Sequence, residues 1–79
     1  MWSKPDEWTY SAIKGRALKY EDTRGYLRFA ASELRSRIAD YQRRRRVLGT
    51  GPEDRRMDAK LAGMIDRERN VLRHVEADL

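Results

Sequence analysis

Few side chains in this sequence are of the types that act in catalysis. His74 is the single histidine, and the absence of cysteine excludes thiolate nucleophiles, disulfides and thiolate metal ligands. No serine stands with a histidine and an acid at the spacing of a catalytic motif, and Gly49-Thr50-Gly51 lacks the lysine and preceding strand of a phosphate-binding loop. The sequence therefore predicts a protein that is not an enzyme, with no metal, no cofactor and no small-molecule substrate.

Arginine gives the strongest functional signal. The chain has 18 basic residues, mostly arginine, against 13 acidic ones, which leaves a net charge of +5. Such an excess favours nucleic acid, anionic lipid or an acidic protein as partner. Residues 43–46 are all arginine, but successive helical residues lie about 100° apart and cannot form one patch. A more extended basic line along the predicted helix is formed by Arg24, Arg28, Arg35, Arg43 and Arg46.

Two interpretations of this line stay open. It is either a solvated helix face whose arginines pair with nearby carboxylates, or a surface that binds phosphates or an acidic protein. In the second case Arg35 and Arg46 are the expected contacts to a protein. The sequence has no zinc-finger spacing, no RNA-recognition strand motif and no convincing helix-turn-helix. The basic run also lies at a turn, unlike the basic region of a leucine-zipper DNA binder.

Aromatic residues are concentrated near the N-terminus. Six of the seven lie within the first 29 residues. Aromatic and arginine side chains together are typical of protein interfaces. The sequence therefore predicts partner contacts at Trp8, Tyr10, Tyr26 and Phe29. Alternatively, the N-terminal segment packs across Phe29 as a third helix.

Two charged residues fall on apolar helix stripes, namely Arg45 and Glu68. A buried and unpaired charge is costly, so each requires a partner or access to water. Arg45 can extend to solvent near the turn, and Glu68 can bridge to Arg35 or Arg37. The two lie too far apart to pair within one hairpin. They are therefore also candidates for an oligomer interface, where polar residues set register.

The elements that position these residues follow from helical periodicity. Leu27, Leu34 and Ile38 belong to an apolar stripe that predicts a helix over about 24–48, and a second stripe predicts one over about 52–78. Gly49-Thr50-Gly51-Pro52 forms the turn between them, with Thr50 expected to cap the second helix. Because the connection is short, the two helices should pack antiparallel.

The N-terminal region is predicted to be a short helix over about 5–19, beginning with a capping box at Ser3. A break is expected at 21–24. The predicted fold is thus all-α: a single domain 1–79, with a helix or arm in 1–22 and a helical hairpin in 23–79, completed as a three-helix or dimeric bundle.

The predicted function is that of a non-enzymatic interaction protein. It would bind a macromolecular partner, most simply another protein, through the aromatic segment and the arginine line, and homo-oligomers are one expected form. The alternative is a small regulator that contacts nucleic-acid phosphates through the same arginines. The N-terminus lacks the apolar run of a secretory signal, and the sequence contains no membrane span, so we expect a soluble cytoplasmic protein with no membrane partner.

Overall fold

A computed structural model of the chain describes residues 2–79, which form three α-helices and no strand. Helix α1 comprises Tyr10–Ala17, α2 comprises Thr23–Arg46 and α3 comprises Pro52–Ala77. α2 packs along α3, α1 contacts both, and the whole is a rod of 49 × 20 × 20 Å. None of these helices combines the length and the hydropathy that a membrane crossing requires. The predicted all-α fold, a helical hairpin with a short N-terminal helix, is confirmed.

The hairpin turns at the predicted residues, but the cap of α3 differs from the prediction. The N-cap residue is Gly51 and not Thr50, so no side chain caps the first N–H groups of α3. Pro52 follows as the first helical residue, where its missing N–H is no loss. The carboxylate of Asp54 accepts a hydrogen bond of 2.9 Å from the N–H of Gly49 and thereby joins the turn to the first turn of α3.

α2 begins within the predicted break. The side chain of Asp22 caps the helix by accepting a hydrogen bond of 2.8 Å from the N–H of Gly25. A Cβ atom at Gly25 would lie 2.1 Å from a carboxylate oxygen of Asp22. This cap therefore depends on glycine at position 25.

The segment before α1 is not helical, so the predicted helix over 5–19 is too long at its start. Thr9 caps α1 by accepting a hydrogen bond from a backbone N–H of its first turn. The predicted capping box at Ser3 does not form, because the Ser3 hydroxyl contacts the Tyr20 hydroxyl at 2.9 Å and accepts a hydrogen bond of 3.0 Å from Arg16. The Ser3 carbonyl also accepts a hydrogen bond of 2.8 Å from the hydroxyl of Tyr26. Residues 2–9 thus form a non-helical arm that is bonded to the start of α2 through Ser3 and Tyr26.

The hydrophobic core has two parts along the rod. In the covered half α1 lies on the hairpin, and the buried side chains are those of Ile13, Ala17, Tyr26, Leu27, Ala30, Ala31, Leu34, Val71 and Val75. In the turn half only α2 and α3 pack together, and the buried side chains are Ile38, Tyr41, Leu61 and Ile65. Because α1 has eight residues and spans about 12 Å, it covers one end of the hairpin only.

Candidate partner-binding surfaces

The aromatic residues near the N-terminus form mainly an internal cluster. Tyr26 is fully buried, and its ring stacks on that of Tyr20 with centroids 5.1 Å apart. Trp2 packs edge-on against both rings at 5.0 and 5.9 Å. Phe29 is half-buried and lies 5.7 Å from Tyr26. Of the predicted partner contacts, Tyr26 is thus inaccessible in this conformation, and Phe29 is accessible only in part.

Tyr10 binds the end of α3. Its hydroxyl and the ammonium group of Lys14 both donate hydrogen bonds to the carboxylate of Asp78, the latter at 3.0 Å. The Tyr10 hydroxyl and then Lys14 lower the pKa of Asp78, and the carboxylate in turn raises the pKa of Tyr10. The Tyr10 ring also lies 5.5 Å from His74. The half-buried Tyr10 therefore holds α1 against α3.

Trp8 lies where the arm, α2 and α3 meet. The guanidinium of Arg37 stands 5.0 Å from the Trp8 ring centroid and donates hydrogen bonds to Glu68 at 2.7 Å and to the Tyr41 hydroxyl at 2.9 Å. Glu68 is 5% exposed, and its second oxygen, Oε2, is buried without a hydrogen-bond partner among residues 2–79. Beside this junction is an open cleft of about 350 Å³, with Arg67 also in its wall.

Arg45 pairs within the hairpin. Its guanidinium donates two hydrogen bonds to the carboxylate of Asp58, at 2.8 and 3.3 Å. This contact lowers the pKa of Asp58 and raises that of Arg45. Arg45 and Glu68 are predicted oligomer contacts, but both have partners in the same chain. Neither charge therefore requires a second subunit to neutralise it.

The predicted arginine line is exposed along α2. We use the name arginine edge for Arg24, Arg28, Arg35 and Arg46. Arg35 binds Glu76 at 2.7 Å, whereas the other three have no ion-pair partner in the described part of the chain. Arg43, beside the edge, lies 3.6 Å from Asp40. The structure thus brings the predicted arginines onto one surface.

The arginine edge lies on the side of the hairpin away from the arm. Arg35 and Arg37 are two residues apart, so their side chains point about 200° apart around the helix. Because Arg37 contacts Trp8 of the arm, Arg35 points to the opposite side. The neighbouring edge of α3 carries charges of both signs, namely Asp58, Arg69 and Glu76.

The contacts that hold the arm and α1 in place have no signal in the sequence. The bridge from Glu68 to Arg37 is one of the two predicted alternatives, whereas the position of Trp8 over Arg37 does not follow from helical spacing. Asp78 likewise gives no signal in the sequence as the partner of Tyr10, since the two are 68 residues apart and meet only through tertiary packing.

Comparisons with protein-family models, with curated proteins and with solved structures found no match for this chain.

Proposed function

We propose that the protein is a non-enzymatic interaction protein that binds an acidic protein partner through the arginine edge. The supporting observation is the exposed line on one 24-residue helix in which Arg24, Arg28 and Arg46 have no ion-pair partner among residues 2–79. A guanidinium group binds carboxylates bidentately, and a packed helix holds several of them in a fixed line. The line therefore offers carboxylates several guanidinium groups at fixed backbone spacings.

The contacts within the hairpin support a protein over a polyphosphate. Arg45 and Asp58 form a two-bond pair, and Arg35 binds Glu76, so this side of the hairpin already accommodates carboxylates. The two acidic residues would repel a continuous phosphate backbone, whereas a protein surface offers basic side chains to meet them. Electrostatic complementarity of this mixed kind favours specificity and register.

The test is capture of partners from a nuclease-treated lysate, quantified by mass spectrometry. The edge variant combines Arg28→Glu with Arg46→Glu. Its control combines Lys4→Glu with Lys19→Glu, which changes the net charge equally at exposed positions outside the edge. We expect the edge variant to lose at least one partner by about tenfold, roughly 1.4 kcal/mol, while the control retains it. Equal loss in both variants would contradict the proposal.

A second candidate function is nucleic-acid binding, which is favoured by the charge of the arginine edge along α2. From Arg24 to Arg46 the edge carries no acidic residue and extends about 33 Å, with Arg43 beside it. Phosphate contacts of this kind make affinity fall steeply with salt. Binding of a fluorescent duplex and of a single-stranded RNA would be measured by anisotropy at about 50 and 200 mM salt. No retention at the lower salt concentration would exclude this candidate.

A further inference from the structure

Arg35 lies at the centre of the arginine edge. It follows Arg24 by 11 residues and precedes Arg46 by 11 residues, and 11 residues make close to three helical turns. The three side chains therefore leave α2 on one side, with their Cα atoms about 16 Å apart along the axis. Arg24 and Arg46 have no ion-pair partner among residues 2–79, whereas Arg35 has one. The edge thus has two unpaired ends and a paired centre.

The partner of Arg35 is Glu76, in the last turn of α3. Oε2 of Glu76 lies 2.7 Å from a terminal guanidinium nitrogen of Arg35. The two side chains are 43% and 54% exposed, so the carboxylate stays at the surface of the edge. Because exposed ion pairs are weak, Glu76 lowers the positive charge at this centre without withdrawing Arg35 from the surface.

The end of α3 is held in place, and Glu76 with it. Asp78 is the C-cap residue of α3, and its carboxylate accepts hydrogen bonds from Tyr10 and Lys14 of α1. Helix ends without such contacts fray. Because Glu76 precedes Asp78 by only two residues, these contacts keep the Glu76 backbone beside Arg35.

A negative charge at this centre acts differently on a nucleic acid and on a protein. A DNA duplex carries one charge per about 1.7 Å of its axis, so a duplex that lies along the edge presents phosphates to its centre as well as to its ends. The carboxylates of a protein surface stand at separate positions, and such a surface can place a basic side chain opposite Glu76. Only the nucleic acid must therefore bring like charge against the Glu76 carboxylate.

We propose that Glu76 makes the arginine edge selective for an acidic protein over a nucleic acid. It is a repulsive group at the middle of an otherwise attractive line, and repulsion of the wrong partner is a common basis of specificity. Asp58, the other carboxylate that pairs on this side of the hairpin, is held by two hydrogen bonds from Arg45, which is not part of the edge. This selectivity rests on the proposed function, since it requires that the edge binds an acidic protein.

The probe is a fluorescein-labelled DNA duplex, titrated with the full chain at several salt concentrations between about 50 and 200 mM and followed by fluorescence anisotropy. Glu76→Gln removes the negative charge and keeps the size of the side chain. We expect this variant to bind the duplex about tenfold more tightly than the unchanged protein at the lowest salt concentration, because Arg35 then contacts a phosphate. One further phosphate contact should also steepen the slope of log K against log salt by about 0.9.

Two further variants show whether the effect belongs to the centre of the edge. Glu7→Gln changes the net charge by the same amount, but at an exposed residue of the arm, on the other side of the hairpin. It should leave the affinity and the slope close to those of the unchanged protein. Adding Arg35→Gln to Glu76→Gln should return the slope to its original value, because the additional phosphate contact is lost. Circular dichroism confirms that all variants remain helical.

Three results would overturn the role of Glu76. The first is an absence of any gain in duplex binding by Glu76→Gln. The second is an equal gain in Glu76→Gln and Glu7→Gln, which would show attraction by net charge alone. The third is a steeper slope that persists when Arg35→Gln is added. The proposed function fails separately, because the lysate capture contradicts it with Glu76 unchanged, whatever the duplex titration shows.

Discussion

Replacing Glu68 by leucine is expected to stabilise the fold by about 1–2 kcal/mol. Glu68 is 5% exposed, Arg37 bonds its Oε1, and Oε2 is buried without a partner among residues 2–79. Leucine removes the desolvation cost of this carboxylate and fills most of its volume. The released Arg37 is 35% exposed and keeps its contacts with Trp8 and Tyr41, so it stays solvated.

Removing the basic partner of this pair should instead destabilise the fold. Arg37→Ala leaves the Glu68 carboxylate buried and unpaired, which typically costs about 3–5 kcal/mol. We expect a value near 3 kcal/mol, because loss of the guanidinium opens the adjoining cleft to water. In the Glu68→Leu background the same change should cost less than about 1.5 kcal/mol, since only packing is then lost.

Urea unfolding at neutral pH, followed by far-UV circular dichroism, measures all four members of this cycle. A chain of this size has a total stability of only several kcal/mol, so both effects would move the midpoint clearly. If Glu68→Leu destabilised the protein by more than about 1 kcal/mol, the buried pair would be net stabilising. The unpaired Oε2 would then not make the buried carboxylate a net cost to the fold.

Three further predictions concern stability. Leu34→Ala should cost about 2–5 kcal/mol because Leu34 is fully buried, whereas Val47→Ala, at a side chain 83% exposed, should change urea stability by less than about 0.5 kcal/mol. Gly63→Ala should raise the thermal midpoint, because the new Cβ meets no atom within 4 Å and alanine stabilises a helix such as α3 by about 0.8 kcal/mol. Gly25→Ala should lower the thermal midpoint, because it removes the Asp22 cap, which is worth about 1 kcal/mol. The pKa of Asp78 in the folded protein lies below the ordinary value of 3.8, so the Asp78 carboxylate stabilises the fold fully above pH 3.8 and stops doing so as the pH falls through the folded pKa. An acid titration of the stability of Asp78→Asn should lack this part of the pH dependence.

The hairpin could be predicted from the sequence because its determinants are local. The apolar stripes repeat at helical spacing, and Gly49 with Pro52 separates them by a short connection. α2 and α3 accordingly begin and end within two residues of the predicted bounds. The positions of the arginines along one edge of α2 follow from the rotation of about 100° per residue in an α-helix. What the edge binds depends on the surface of another molecule, which periodicity does not encode.

The arm could not be predicted in the same way. Ser3 and Asp6 have the spacing of a capping box, but the guanidinium of Arg16 donates hydrogen bonds to the Ser3 hydroxyl and the Asp6 carboxylate instead. Aromatic enrichment is equally typical of an interface and of a small core, and of these residues Tyr26 lies in the core. Where local propensity and long-range packing compete over so few residues, packing determines the outcome.

The short reach of α1 gives the two ends of the rod unequal resistance to local opening. Amide protons near Leu34 and Val75 are held by a three-element core and should exchange with solvent slowly, whereas those near Met57 should exchange sooner. Residues 43–46 and the arginines at 55 and 56 lie at the weaker end, and trypsin cleaves after arginine. Limited digestion should therefore cut beside the turn and separate α2 from α3 sooner than it cuts after Lys14 or Arg16 within α1.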